Sequence, residues 1–226
     1  MSIQRLISYV FGARERRTRS TVRLPTFDTT GWHERQRSEA NVVWTNDEGD
    51  SLSVNNSASP GVPPFSKLEV WRALCRQIAE DRGGGIVSGE AFEEGPTPLF
   101  QFIYKREDGT GYFYGGQLFI PHQEGVWLVA AGAREHGTTG TREALVTVQL
   151  AGQGRLEIDW VPAPDAAGTG REIPNWFRDP YDHEYSGRVL RSVADDEQYD
   201  ALVPHHPLSR LRRTLVTVRR TLRFDA

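Results

Sequence analysis

Residues 135–140, EHGTTG, combine side chains that carry out acid/base chemistry with the glycines of an anion-binding loop. A phosphate-binding P-loop needs a lysine and then a serine or threonine after its glycine-rich turn, because backbone N–H groups and the ammonium share the phosphate charge. Here Thr141 and Arg142 follow instead. The segment therefore predicts a turn in which Thr138 or Thr139 caps the next helix. Anion binding at the N-terminus of that helix is the alternative.

The other reactive side chains show no arrangement typical of a metal or cofactor site. The six histidines lack the paired spacing of zinc ligands. The acidic stretch DPYDHEY at 179–185 lacks the alternating ligands and central glycine of a calcium loop, which favours a solvated turn. Cys75 is the single cysteine and lies on the apolar face of a predicted helix, so we expect a packed thiol.

No catalytic residue, metal or cofactor is predicted from these patterns. No Gly-x-Ser-x-Gly elbow is present in the chain. The remaining enzyme hypothesis places an acid/base site at His136, with Glu135 and a distant carboxylate such as Asp179.

Charge is distributed unevenly along the 226 residues. Residues 1–23 and residues 207–226 each contain six arginines and one acid, so each end carries +5. Because the whole chain carries −3, residues 24–206 carry −13. The basic ends are therefore expected either to fold back onto the acidic body or to contact an acidic partner.

The cytoplasm is the expected location. Gln4, Arg5 and Ser8 interrupt the apolar residues near the N-terminus, which is untypical of a signal peptide. The longest strongly apolar run, residues 126–131, is too short to span a bilayer. One cysteine does not require an oxidising compartment.

Hydrophobic spacing predicts an α+β fold with an antiparallel β-sheet meander, helices and a C-terminal helical extension. NVVWT and SLSVN flank a turn and predict a hairpin, and an apolar face over 68–78 predicts a helix that ends at three glycines. The predicted strands that follow are 86–92, 99–105, 112–120 and 125–133. Gly115 and Gly116 inside the third of these strands predict a bulge or a bend. Residues 141–151 fit a helix or a strand, and we favour the helix.

These elements divide the chain into four segments. They are a basic N-terminal arm (1–40), an α+β sheet domain (41–160), a linker and tail with a short helix near 192–202 (161–206), and a basic amphipathic C-terminal helix (207–226). The stretch VPAPDAAGTG, residues 161–170, is expected to be the linker. Asp195, Asp196 and Glu197 are expected as surface charges or as first-turn helix residues.

The C-terminal helix is the strongest candidate for partner contact. Its apolar residues recur at alternating steps of three and four and form a seam, and Pro207 suits its first turn. The seam either packs on its own domain, docks in the groove of a partner or lies on an anionic membrane surface; of the last two we favour partner docking. Nucleic acid is not favoured, because no reading motif accompanies the arginines. The predicted partner-binding residues are Arg210, Leu211, Arg212, Arg213, Leu215, Arg219, Arg220 and, on the sheet face, Trp127.

The runs NVVWTNDEGDSLSVNN and PPFSKLEVWRALCRQIAE, with the element order over residues 40–150, resemble the PsbP-like α+β fold. That resemblance implies that the sheet is a curved antiparallel β-sheet meander packed against helices. It also implies, as in type VI secretion effector chaperones, binding without catalytic residues. The stretch GGQLFIPHQEGVWLVAAGAREHGTTGTREA and the tail also resemble a bacterial protein type of unknown function. Neither resemblance carries a site or an activity to this chain.

The resulting hypothesis is a non-catalytic cytoplasmic bacterial protein-binding module, such as an adaptor, an effector chaperone or an immunity-type protein. Its partner would be another protein with an acidic surface, contacted through the sheet face and the C-terminal helix. The alternatives are a structural subunit of a larger assembly, which includes a homo-oligomer, and the enzyme centred on His136.

Overall fold

A computed structural model of the chain describes residues 23–57, 67–93, 97–122, 125–156, 159–162 and 169–224. The fold is α+β, as predicted, and a seven-stranded antiparallel sheet forms its centre. The strands of this sheet are β1 (His33–Arg37), β2 (Asn41–Thr45), β3 (Ser51–Ser57), β4 (Gly84–Phe92), β5 (Leu99–Asp108), β6 (Gly111–His122) and β7 (Gly125–Arg134). The helices are α1 (Leu68–Asp81), α2 (Thr141–Gly152) and α3 (Pro207–Thr221).

The order of strands across the sheet is β1-β2-β3-β7-β6-β5-β4. Every neighbouring pair is antiparallel, so the predicted hairpin (β2–β3) and meander (β4 to β7) are both confirmed. The two units join where β3 pairs with β7. Helix α1 connects them in sequence, since it lies between β3 and β4.

Strands occupy parts of two segments that are predicted to be irregular. Within the predicted arm, His33–Arg37 forms β1, an exposed and charged edge strand that pairs with β2. At the two ends of the predicted linker, strands β8 (Asp159–Pro162) and β9 (Thr169–Glu172) pair with each other as a two-stranded ladder, and residues 163–168 of the linker lie outside the described part of the chain. In both places backbone pairing supplies the order, which the polar composition did not indicate. Residues 1–22 of the arm lie outside the described part of the chain.

Hydrophobic clusters cover both faces of the sheet. On one face, α1 packs with Trp71, Leu74 and Ile78 against the aromatic side chains of β5 and β6. On the opposite face, α3 lies across β6 and β7 and completes a larger cluster. Successive residues of a strand point to opposite faces, so β5 supplies Phe100 to the first cluster and Leu99 to the second.

The paired glycines of β6 allow close packing and form no bulge. The register of β6 continues through Gly115 and Gly116 against both neighbouring strands. A Cβ at Gly115 would lie 2.3 Å from the ring of Tyr104, and a Cβ at Gly116 would lie 2.7 Å from Cδ1 of Leu215. The predicted bulge is therefore wrong; the shifts in register fall in β1 and β4 instead. The glycines leave room for a ring on one face and for α3 on the other.

The tail after residue 176 covers the free edge of β4. Two short strands, β10 (Phe177–Arg178) and β11 (Arg191–Ser192), pair with each other beside this edge. Between them, the hydroxyl of Tyr181 accepts a hydrogen bond from the N–H of Gly89 (2.7 Å) and donates one to its carbonyl (3.2 Å). Edge strands expose unpaired backbone groups, and this contact satisfies two of them.

The predicted solvated turn at 179–185 is in part a buried anchor. Asp179 is 2% exposed and accepts two hydrogen bonds from Arg76 of α1, at 2.8 and 2.9 Å. The pKa of Arg76 is raised mainly by its hydrogen bond to Asp179. Local sequence did not indicate this role, because the partner lies 103 residues away.

A third hydrophobic cluster lies beside the sheet and joins α2 to the tail. It contains Val146 and Leu150 of α2, with Trp176, Ala194 and Tyr199. The favoured helix at 141–151 is thus confirmed, and the short helix near 192–202 is present as two 3₁₀-helices, Val193–Asp195 and Glu197–Tyr199.

The close contact at Gly115 can be tested with alanine. In G115A the new methyl group would force the packed ring of Tyr104 to move, so we expect the free energy of unfolding to fall by about 1–3 kcal/mol in urea denaturation. The matched control is G152A at the end of α2, where no atom lies within 4 Å of the new Cβ. That variant should keep or slightly raise stability. Equal stability of G115A and the parent protein would contradict the packing role.

Candidate functional site

The apolar seam of α3 is part of the protein core. Leu208, Leu211, Leu215 and Val218 are at most 2% exposed and pack on the sheet. Three environments are predicted for this seam: its own domain, the groove of a partner and a membrane surface. The structure places the seam against its own domain, so the predictions of partner docking and of membrane binding through the seam are wrong. Leu211 and Leu215 are core residues. None of the described helices is long and apolar enough to cross a membrane.

Two of the predicted contact arginines bind acids of their own domain. Arg210 donates two hydrogen bonds to Asp50, at 2.9 and 2.7 Å, and its pKa is raised mainly by this contact. Arg212 is 8% exposed and donates to Asp200 (2.8 Å) and to the carbonyl of Asp195. Burial lowers the pKa of Arg212. The basic C-terminal end therefore folds back onto the acidic body, which is one of the two alternatives that the charge distribution left open.

The remaining predicted contact residues differ in exposure. Arg213 and Arg220 are exposed and lie seven residues apart, on one side of α3. Arg219 is partly buried with its guanidinium 3.5 Å from the ring centre of Phe92. Trp127 is 8% exposed and its ring stacks with those of His122 and Phe224, which makes it a core residue. We call Arg213 and Arg220, with Thr217 between them, the basic stripe.

A buried ion pair joins the sheet to the 3₁₀-helices. The ammonium of Lys105 lies 2.6 Å from Oδ2 of Asp195, and both side chains are at most 1% exposed. The same carboxylate oxygen accepts a hydrogen bond from the N–H of Ser192 (2.8 Å). Burial alone would raise the pKa of Asp195, but the adjacent Lys105 holds it below its ordinary value. Asp195 lies in the first turn of the 3₁₀-helix Val193–Asp195, as one of the two expectations states, but it is a buried structural anion and not a surface charge.

Arg142 holds α2, the tail and α3 together. Its side chain is fully buried and donates to the carbonyls of Ala194 (2.5 Å) and Asp196 (2.9 Å). It also donates to the hydroxyl of Ser209 (2.8 Å) and the carboxylate of Asp200 (2.7 Å). All three nitrogens of the guanidinium are therefore used in structural contacts.

The opening segment, EHGTTG, forms a turn without a threonine cap. Gly140 is the N-cap of α2 with φ 73°, a left-handed conformation that suits glycine, and no side chain caps the helix. The predicted caps, Thr138 and Thr139, are wrong because the chain enters the helix through Gly140. His136 is exposed on this turn.

Glu135 instead binds a histidine far along the chain. Its Oε1 lies 3.0 Å from Nε2 of His206, and its Oε2 accepts from the N–H of Tyr112 (2.8 Å). His206 is also the N-cap of α3, where Nδ1 accepts from the N–H of Leu208 (3.2 Å). Because Nδ1 accepts, the proton of the neutral ring lies on Nε2 and is donated to Glu135. Burial alone would raise the pKa of Glu135, but the hydrogen bonds from His206 and Tyr112 hold it below its ordinary value.

The hypothetical acid/base site is not assembled. Glu135 pairs with His206 on the α3 face of the sheet, while Asp179 binds Arg76 of α1 on the other face. Neither carboxylate orients His136. Cys75 is buried, and burial raises the pKa of its thiol well above the ordinary value, so it is a packed side chain and not a thiolate nucleophile. Among the described residues, no group of three potential metal ligands is present.

Comparisons with known proteins show only remote likeness. No protein-family model matches the chain, and a search of curated proteins finds no relative. Among solved structures, the Saccharomyces cerevisiae Ran-binding protein Mog1p is similar, with a TM-score of 0.36, 11% identity and coverage of 54% of this chain and 74% of Mog1p. A Pseudomonas aeruginosa protein of unknown function has a TM-score of 0.31 and 16% identity, over 59% of this chain and 98% of that protein. Since both TM-scores are below 0.5, these likenesses carry no argument about fold or function.

The Lys105–Asp195 ion pair should contribute far more to the stability of the fold than an exposed ion pair of the same length. K105M leaves the carboxylate of Asp195 buried without a countercharge, so we expect a loss of about 3–5 kcal/mol in the free energy of unfolding. K105M/D195N removes both charges and should recover part of that loss. The control is R188M, which breaks the exposed Arg188–Glu107 pair, also 2.6 Å long, and should cost under about 1 kcal/mol. Equal losses in K105M and R188M would contradict the assigned role.

The Glu135–His206 contact predicts a pH dependence of stability. A carboxyl group whose pKa is lower in the folded state stabilises the fold at neutral pH, and this contribution is lost as pH falls through the folded pKa. E135Q removes the charge and replaces one of the two acceptor oxygens by an NH2 donor, so one of the hydrogen bonds from His206 and Tyr112 is lost. We expect E135Q to be about 1–3 kcal/mol less stable than the parent protein at pH 7. This difference in stability should shrink as the pH falls below 4.5, the ordinary pKa of a glutamate, and Glu135 of the parent protein becomes protonated. E184Q, at an exposed position, should show no such convergence.

Proposed function

We propose that the chain is a non-catalytic protein-binding module whose basic stripe contacts an acidic protein surface. The resemblances in the sequence favour an adaptor, an effector chaperone or an immunity-type protein of a bacterial cytoplasm. The proposal keeps the predicted partner chemistry but limits the contact on α3 to the residues that remain exposed.

The observation that carries the proposal is the division of the arginines on α3. Arg210 and Arg212 bind Asp50 and Asp200. Arg213 donates to the carbonyl of Pro204, and neither Arg213 nor Arg220 forms an ion pair with a described residue. Seven residues separate them, about 10 Å along the helix. Two exposed cations at that spacing are suited to steer and orient an acidic partner.

The internal use of the acid/base groups supports a binding role over a catalytic one. Lys105, Glu135, Asp179 and His206 each contact a charged or backbone partner within the fold. A catalytic acid or base needs free reach to a substrate. Their hydrogen bonds are instead directed at neighbouring elements of the protein.

Charge reversal on the stripe tests the proposal. Deleting residues 207–226 would remove the buried seam and unfold the domain, so point variants are the sharper tool. R213E/R220E changes only exposed side chains, and we expect it to weaken partner binding at least about tenfold at low salt. The control is R37E/R188E, which makes the same change in net charge at two exposed arginines outside α3, one in β1 and one in the tail. The partner is identified by affinity purification with mass spectrometry from the native cells, and its affinity is then measured with purified proteins.

Four outcomes are distinguishable. Loss of the partner in R213E/R220E but not in R37E/R188E supports the stripe. Equal binding by both variants means that the stripe is not the contact. If neither the parent protein nor either variant binds a partner, the proposed protein-binding function itself is wrong. A captured partner that is a second copy of the chain supports the assembly alternative.

A further inference from the structure

A groove of about 510 Å³ lies beside the third hydrophobic cluster. It is formed where the end of α2 meets the β10–β11 ladder and the 3₁₀-helices. The buried rings of Trp176 and Tyr199 line it, together with the partly exposed side chains of Leu156 and Ile173. The groove is open to solvent and on different elements from the basic stripe.

The groove has an excess of positive charge. Arg155, Arg178 and Arg191 line it, and Asp196 is the single acid among its lining residues. Asp196 is bound to Arg191 at 2.8 Å. Within the described chain, Arg155 donates only to the amide oxygen of Gln153 (3.3 Å), and Arg178 forms no ion pair. Two guanidinium groups of the groove therefore lack a carboxylate partner among the residues that the structure describes.

The strand ladder brings two of these cations together. Arg178 and Arg191 are direct partners across β10 and β11. Like charges at opposed positions of an antiparallel pair repel each other and destabilise the pair. Asp196 compensates only one of them. A ligand that supplies a carboxylate between Arg155 and Arg178 would remove this repulsion.

We propose that the groove binds an acidic peptide segment of a partner protein, with its carboxylates on Arg155 and Arg178 and an apolar side chain against Trp176. Tryptophan, tyrosine and arginine are the residues that dominate binding energy in protein interfaces, and the groove contains all three. A small metabolite is favoured less, because metabolite sites enclose most of their ligand and this groove is open. Two unpaired arginines are also few for nucleic acid, which is bound through many phosphate contacts.

Selection from a random dodecapeptide phage library on the full chain tests the proposal. We expect enriched peptides with at least two acidic residues next to an apolar one. The affinity of a fluorescein-labelled selected peptide, measured by anisotropy, should fall at least about tenfold in R155E/R178E. It should stay unchanged in R213E/R220E, which alters the basic stripe by the same charge. Arg155 and Arg178 are exposed, and R178E replaces a repulsion across the ladder by an attraction to Arg191, so the melting temperature of R155E/R178E should equal or exceed that of the parent protein.

A charge swap adds a rescue. A version of the selected peptide in which lysine replaces each acidic residue should bind R155E/R178E better than it binds the parent protein. The proposal is overturned if no acidic peptides are enriched, or if they bind R155E/R178E as tightly as the parent. It is also overturned if inorganic phosphate or citrate stabilises the parent but not R155E/R178E while no acidic peptide is enriched, since the groove would then be a small-anion site. Stripe and groove are altered separately, so failure at one leaves the result at the other interpretable.

Discussion

The burial of the α3 seam on the sheet is the interaction on which the rest of the molecule depends. Each buried leucine of the seam contributes about 1.5–3 kcal/mol, and Gly116 gives Leu215 the space to approach the sheet. Once α3 lies there, its ends and flanks bring distant groups into contact. Arg210 reaches Asp50, and His206 reaches Glu135. Thr26 exchanges two backbone hydrogen bonds with Arg223, which ties the start of the described chain to its end.

The same packing explains how charge is divided between the interior and the surface. Arg210, Arg212 and Arg142 bind acids of the chain, and Lys105 binds Asp195. These contacts neutralise part of the acidic body from within. The outer side of α3 and the groove beside the third cluster both keep arginines without an acidic partner among the described residues. A protein whose total charge is −3 can therefore present local basic surfaces, and an acidic partner is the one that we propose for both.

Local pattern predicted the elements well and their long-range contacts poorly. The hairpin, α1, the meander and the seam of α3 follow from spacing within a few residues, and all are present. The partner of Lys105 lies 90 residues away and that of Glu135 lies 71 away, so no local pattern could reveal either pair. Arg212 is different, because it lies four residues after Leu208 and three before Leu215, on the seam itself. The helical period alone is therefore enough to place Arg212 on the side of α3 that faces the sheet and Arg213 on the side that faces solvent.

The tail shows why the groove forms where it does. A seven-stranded sheet has two edges, and the two are protected by different means: β1 by its exposed charges and β4 by the docked tail. The tail is held at two places: Asp179 binds Arg76 of α1, and Trp176 packs in the third cluster. These contacts fix the position of the short β10–β11 ladder. The ladder therefore has two arginines at opposed positions, Arg178 and Arg191, and one acid, Asp196, which pairs with Arg191. Since the tail is held by buried contacts on both sides, the fold tolerates this repulsion, and Arg178 remains available for an external carboxylate. The groove therefore results from the way in which the tail covers the edge of β4. Covering that edge does not need the arginines of the groove, and we propose that their charge selects an acidic ligand.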